Sequence, residues 1–229
     1  MPCALIPMLE DGTPYYPKGD LFNSFRLSSK SHWDVPVWIN NHTVVHMLAS
    51  HPTPPVFDGP EDRNGKRNHD EIRFFADYIS GGKDADYIYD DNGMCGGLDD
   101  KNAKFVIVGD LNSDPYDGDS VPGSAQLLLD HKKVNSYMAP YSLGGIEQSQ
   151  LQGQANDEHC GDPRFDTADF NPSGPGNLRA DYCLPSKNLH VVGANVYWPL
   201  QSDPLFERLV GTFPFPGTDH RMVYIDTVF

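Results

Sequence analysis

The sequence predicts a layered α/β domain, and three observations predict it. Residues 104–108, Lys-Phe-Val-Ile-Val, form a short continuous apolar run, the mark of a strand buried on both faces. Within residues 68–80, Ile72, Phe75, Ala76 and Ile79 recur at helical spacing. Polar residues repeatedly stand just past the ends of strand-like runs, where layered α/β proteins bind their ligands.

The elements follow in order. Residues 1–30 are rich in proline, glycine and polar groups and read as an extended lead-in to a single domain over 1–229. Residues 35–39 and 43–49 are β-rich runs separated by Asn40-Asn41, which reads as a hairpin. The second run closes on Ser50-His51-Pro52, and a proline-rich loop continues to Pro60. The helix at 68–80 is stopped by Gly81-Gly82, and residues 83–101 are an acidic loop. The 104–108 strand ends at Gly109-Asp110, and residues 124–131 suggest a short helix. Residues 141–177 read as one long polar loop, a length that compact domains usually keep for function. Strands are expected at 179–184, 189–192 and 222–228.

Composition narrows the function. The chain has 32 acidic and 17 basic residues, a formal net charge of −15. A tight grip on duplex nucleic acid rests mainly on Lys and Arg against phosphates, so this balance disfavours it. It suits divalent cations or small substrates, although solubility alone also accounts for it. No run of 18 apolar residues exists to span a membrane. The start lacks the basic region and apolar length of a signal peptide. The four cysteines, Cys3, Cys95, Cys160 and Cys183, show no metal-binding spacing. Cys183 lies in an apolar run and reads as a buried thiol, while Cys95 and Cys160 in Gly-rich loops leave a disulfide open. The sequon Asn41-His42-Thr43 is of a length that arises by chance.

Several motifs can carry chemistry. Gly109-Asp110-Leu111-Asn112 follows the central strand, and alternation points Asp110 and Asn112 to one side. A carboxylate and an amide oxygen suit a hard cation, or a water and a leaving oxygen. A turn in which Asp and Asn bond their own backbone accounts for the same residues. Asp219-His220 stands at the entrance of the last strand, where a metal ligand beside a general base would fit. Asp181, opening another strand, can fix the tautomer of a neighbouring histidine, or simply pair with Arg179. His51 can donate to a phosphoryl oxygen. Arg67 and Asn68 flank the first helix, whose N-terminus offers a phosphate site, or else a solvated charged turn. The acids Asp90, Asp91, Asp99 and Asp100 lack the spacing of an EF-hand and read as a solvated loop.

Each motif is weak alone, but their order is specific. A strand ending at His51, then GDLNSDP, then RADYCLPS, then TDHRMV before a final strand resembles the endonuclease/exonuclease/phosphatase superfamily, the fold of pancreatic deoxyribonuclease. The text from Ser29 to Asn64 looks like a bacterial branch often labelled secreted phosphatases or phytase-associated proteins. The resemblance implies a four-layered α/β sandwich and metal-dependent hydrolysis of a phosphomonoester or phosphodiester by in-line attack of water. It implies Mg²⁺, or Mn²⁺ or Ca²⁺, as cofactor and a secreted or periplasmic location. Residue by residue, it makes Asp110 and Asn112 the GDxN pair that positions the nucleophile or leaving oxygen. Asp219 becomes the metal-linked acid, with Thr218 replacing the usual Ser. His220 becomes the catalytic histidine, Asp181 its partner, and His51 the phosphate-facing histidine. The metal-binding Asn and Glu of the family's first strands find no match here, so an N-terminally incomplete domain is expected. A truncated, inactive member with a binding role, or none, is the competing reading, since Asp219 alone would bind Mg²⁺ poorly.

Overall fold

The computed structural model describes residues 1–98 and 100–229; Asp99, one acid of the 83–101 loop, lies outside the described residues. The hairpin is present as β1 (His32–Asn40) and β2 (Thr43–Ser50). The apolar run becomes β3 (Lys104–Asp110), parallel to β2. The helix is α1 (Arg63–Ser80), which begins earlier than the apolar spacing indicates. Its extra residues, Arg63 to Arg67, are polar, and the Asp58 carboxylate accepts from the Asn64 N–H at 2.5 Å.

The stretch from 141 to 177 is not one loop, and this expectation is corrected. It holds α2's successor: after α2 (Gln126–Leu129) comes α3 (Leu143–Gln152), then the short strands β4 (Ala168–Asp169) and β5 (Asn177–Leu178). The Ser142 hydroxyl caps α3 by accepting from the Gly145 N–H. With two glycines in its first turn and little apolar periodicity, α3 gives few signals to the eye. The chain continues through β6 (Asp181–Pro185), β7 (His190–Tyr197), α4 (Phe206–Leu209) and β8 (Met222–Val228).

The main sheet has the order β1-β2-β3-β6, and β7 pairs with β8 in a second, two-stranded sheet. Alternation sorts the side chains of β3 between two cores. Phe105 and Ile107 face α1 and meet Ile72, Phe75, Ile79, Leu48 and Leu184. Val106 faces the opposite way, where Val45, Leu189 and Ile225 pack. Burying each large apolar side chain contributes roughly 1.5–3 kcal/mol. The described residues thus stack helix, sheet and sheet, and Val192, Met222 and Val228 on the outer face of the β7–β8 pair are exposed.

The lead-in is tied down rather than loose. The Leu5 N–H donates to Asp70, and the buried Glu71 carboxylate accepts from the N–H groups of Ser29 and Thr53. All four cysteines are free, so no disulfide joins Cys95 and Cys160. Among the described residues no helix is long and apolar enough to cross a membrane.

Candidate active site

The site lies at one end of the main sheet, on the face that meets the β7–β8 pair. Strand alternation builds it. Val45 and Met47 of β2 face the second core, so His51, two positions beyond Ala49, starts on the same side. Val106, Val108 and Asp110 repeat the pattern in β3, as do Cys183 and Asp181 in β6. Register then aligns the strands: Ala49 pairs with Val108, and Asp110 pairs with Asp181. His51, Asp110 and Asp181 therefore come to one row across three adjacent strands. His220 arrives from the other sheet, two residues before β8, and forms a β-bridge with Ala168.

Gly109 makes this row possible. Its φ is +143°, and a Cβ there would sit within 1.9 Å of the Ser50 carbonyl oxygen. Only glycine allows β3 to lie so close to the end of β2.

The distances define the cluster. Asp181 Oδ2 accepts from His220 Nδ1 at 2.8 Å. Asp110 Oδ2 is 3.3 Å from His51 Nε2 and 3.8 Å from His220 Nε2. Asp110 Oδ1 accepts from the Asn112 N–H at 2.8 Å. The Asx turn and the clustered carboxylate are therefore both present, one on each oxygen of Asp110. Asn112 sits in the left-handed region with φ 50°, and its side-chain amide donates to the Pro52 carbonyl. That bond ties the loop carrying Asn112 to the one carrying His51.

The electrostatics follow from burial and neighbours. The hydrogen bond to Asp181 leads the causes that raise the His220 pKa, and the charges of Asp181, Asp110 and Asp219 add to it. Burial and then the Asp181 charge push the Asp110 carboxyl up. One ligand atom from each of Asp110, Asp181 and His220 falls within 4.8 Å of the others, the only such group of three among the described residues. Two carboxylates with an imidazole suit a divalent cation, whose charge would offset the repulsion between Asp110 and Asp181.

Other expected residues lie elsewhere. Asp219 is outside this group; its carbonyl accepts from the Asp169 N–H, and it lines a neighbouring cavity. Arg67 and Asn68 are in the second turn of α1 rather than at its N-terminus, so the phosphate site expected there is corrected. Arg67 donates to the carbonyls of Leu27 and Arg26 and lies over Phe25. Asn68 is fully buried and donates to the carbonyls of Thr53 and Leu111. The helix start itself carries Asp58, Glu61 and Asp62, which would repel a phosphate.

Two supports gave no signal in the sequence. The Thr167 hydroxyl donates to Asp181 Oδ2 at 2.9 Å and accepts from the Ala180 and Asp181 N–H groups. Arg221 forms a buried ion pair with Asp169 at 2.8 Å and donates to the Thr218 carbonyl. Its guanidinium lies over the Trp198 and Phe215 rings, with centroid distances of 4.5 and 5.3 Å. Thr167 is 14 residues from Asp181, and Arg221 is 52 residues from Asp169.

A family model described as the Endonuclease/Exonuclease/phosphatase family matches residues 50–220. That span begins one residue before His51 and ends on His220. No curated protein matches the chain, and no solved structure does.

Proposed function

The chain belongs to the endonuclease/exonuclease/phosphatase family, and from that premise we propose that it hydrolyses small phosphoesters by in-line attack of water, with Mg²⁺ as the preferred cation. The observation that carries this reading is the gathering of Asp110, Asp181 and His220 within 4.8 Å. Asp110 and Asp181 are the carboxylates that would hold the cation, with His220 beside them. When bound, such a cation neutralises charge on the phosphoryl group and polarises it.

The protein's own groups take the remaining tasks. Asp110, anchored through Oδ1 by Asn112, orients the attacking water and accepts its proton. His220, held at Nδ1 by Asp181, presents Nε2 to a non-bridging phosphoryl oxygen. A proton on Nε2 would let it donate to that oxygen and stabilise the charge that builds there. His51, 3.3 Å from Asp110, donates to a second oxygen. The 3.8 Å between Asp110 and His220 is too short for the two to serve opposite ends of an in-line displacement. His220 therefore acts on a non-bridging oxygen rather than on the leaving one, and the ester oxygen departs away from Asp110. Net charge −15 favours small phosphoesters over duplex nucleic acid.

Hydrolysis of 4-nitrophenyl phosphate and bis-4-nitrophenyl phosphate, with and without Mg²⁺, tests the proposal. Cation-dependent release of nitrophenolate that disappears in Asp110→Ala and His220→Ala supports it. Activity that survives both changes together would overturn the assignment. No turnover by the native chain would favour an inactive member of the family.

A further inference from the structure

A cavity of about 620 Å³ opens beside His220, and the hydrolytic chemistry makes no use of it. Phe170, Phe213 and Phe215 supply its apolar walls, and Gln152, Asp169 and Asp219 its polar ones. Phe170 joins it to the reacting cluster: its ring meets the His220 ring edge-on, with centroids 5.5 Å apart and planes at 80°. Asp219 joins it a second time, as the residue next to His220. Neither Asp110 nor Asp181 lines it.

The lining specifies what fits. It contains no Lys, Arg or His. A second phosphate would find no cation to pair with and would face the Asp219 carboxylate, so polyphosphorylated groups are disfavoured. Asp169 is already neutralised by the buried Arg221 behind it. The aromatic surface, in contrast, is open. Phe213 is 85% exposed, and its ring meets Phe215 edge-on with centroids 6.1 Å apart. Phe215 is braced from behind by the Arg221 guanidinium. The exposed Phe213 ring that lines this cavity has unused apolar surface, which a flat apolar ligand would cover.

We propose that this cavity receives the alcohol portion of the phosphoester, and that this portion is an uncharged aromatic or otherwise apolar group. The proposal rests on the hydrolase reading for the position of the phosphoryl group. In the step, the water oxygen bonds to phosphorus as the ester P–O bond breaks. Asp110 takes the water's proton, and the departing alkoxide takes one from solvent at the cavity mouth.

The test pairs turnover with binding. Benzyl and ethyl phosphate leave as primary alcohols of similar acidity, so a difference in kcat/KM reports recognition. Benzylphosphonate and ethylphosphonate, which cannot be hydrolysed, report affinity by titration calorimetry whether or not turnover occurs. The expected result is a preference of about tenfold for benzyl in both measurements. In Phe213→Ala, benzyl loses about fivefold more than ethyl. Equal values for benzyl and ethyl in the native protein overturn the cavity assignment, as does a preference that Phe213→Ala leaves intact. Turnover without preference removes the cavity and keeps the hydrolase. A benzylphosphonate preference sensitive to Phe213→Ala, with no turnover of either ester, keeps the cavity and removes the hydrolase. Absence of both binding and turnover overturns both.

Discussion

The two sides of the reacting cluster are built differently. Asp110 and Asp181 sit on paired strands, so the sheet's hydrogen bonds fix their separation. His220 stands at the end of a loop on the other sheet, and besides a local bond to the Thr218 hydroxyl it is fixed by long-range contacts. Its ring is held by Asp181, its backbone bridges Ala168, and its loop is held by Arg221 paired to the buried Asp169. Chemistry and stability are therefore divided: the carboxylates on the sheet can change without loss of the fold, whereas the loop depends on a buried charge.

Four changes test this division, the largest effect first. Asp110→Asn should lower kcat by roughly 10³-fold while the melting temperature stays close to native; a large fall in melting temperature would erase the contrast. Arg221→Met should do the reverse. It leaves the Asp169 carboxylate buried without its partner, at a cost of about 3–5 kcal/mol in urea unfolding, and a cost below about 1 kcal/mol would show that the pair is not what holds the loop. Asp166→Asn addresses pH. Burial first, and then the charges of Asp114, Asp117 and Asp162, raise the Asp166 pKa to about 8. A carboxyl raised in the folded state binds more protons there than when unfolded, so its penalty is absent below pH 3.8, grows as pH rises and is complete above about 8. The variant should gain on the order of 3 kcal/mol over native at pH 8 and little at pH 4, as thermal melts at both values would reveal. Thr167→Val should be the mildest. Losing the hydrogen bond to Asp181 and the acceptor for the Ala180 and Asp181 N–H groups should cost about 1–3 kcal/mol in stability and several-fold in kcat/KM, and no change at all would place the orientation of Asp181 in the strand alone.

Much of this was legible in the chain. The continuous apolar run at 104–108 announced a strand buried on both faces, and β3 does face two cores. Gly109 stands at the exit of that strand, and the Ser50 carbonyl that demands a glycine there is visible only in three dimensions. Arg67 and Asn68 misled because helix spacing shows which residues share a face, not where the helix begins. The Asp58 carboxylate bonds the Asn64 N–H at a helix start that lies ahead of any apolar signal.

Apolar periodicity and strand alternation act within a few residues, so they mark most of the local elements and the order of the chemistry-bearing residues, whereas α3, with two glycines in its first turn, carries no such mark. The tertiary structure alone decided which of those residues meet. The pairing of Asp110 with Asp181, the approach of His220 from a second sheet and the bracing of its loop by Arg221 join positions far apart in the chain. Such contacts are set by strand register and by the demand that a buried charge find a partner, and neither leaves a periodic trace in the sequence.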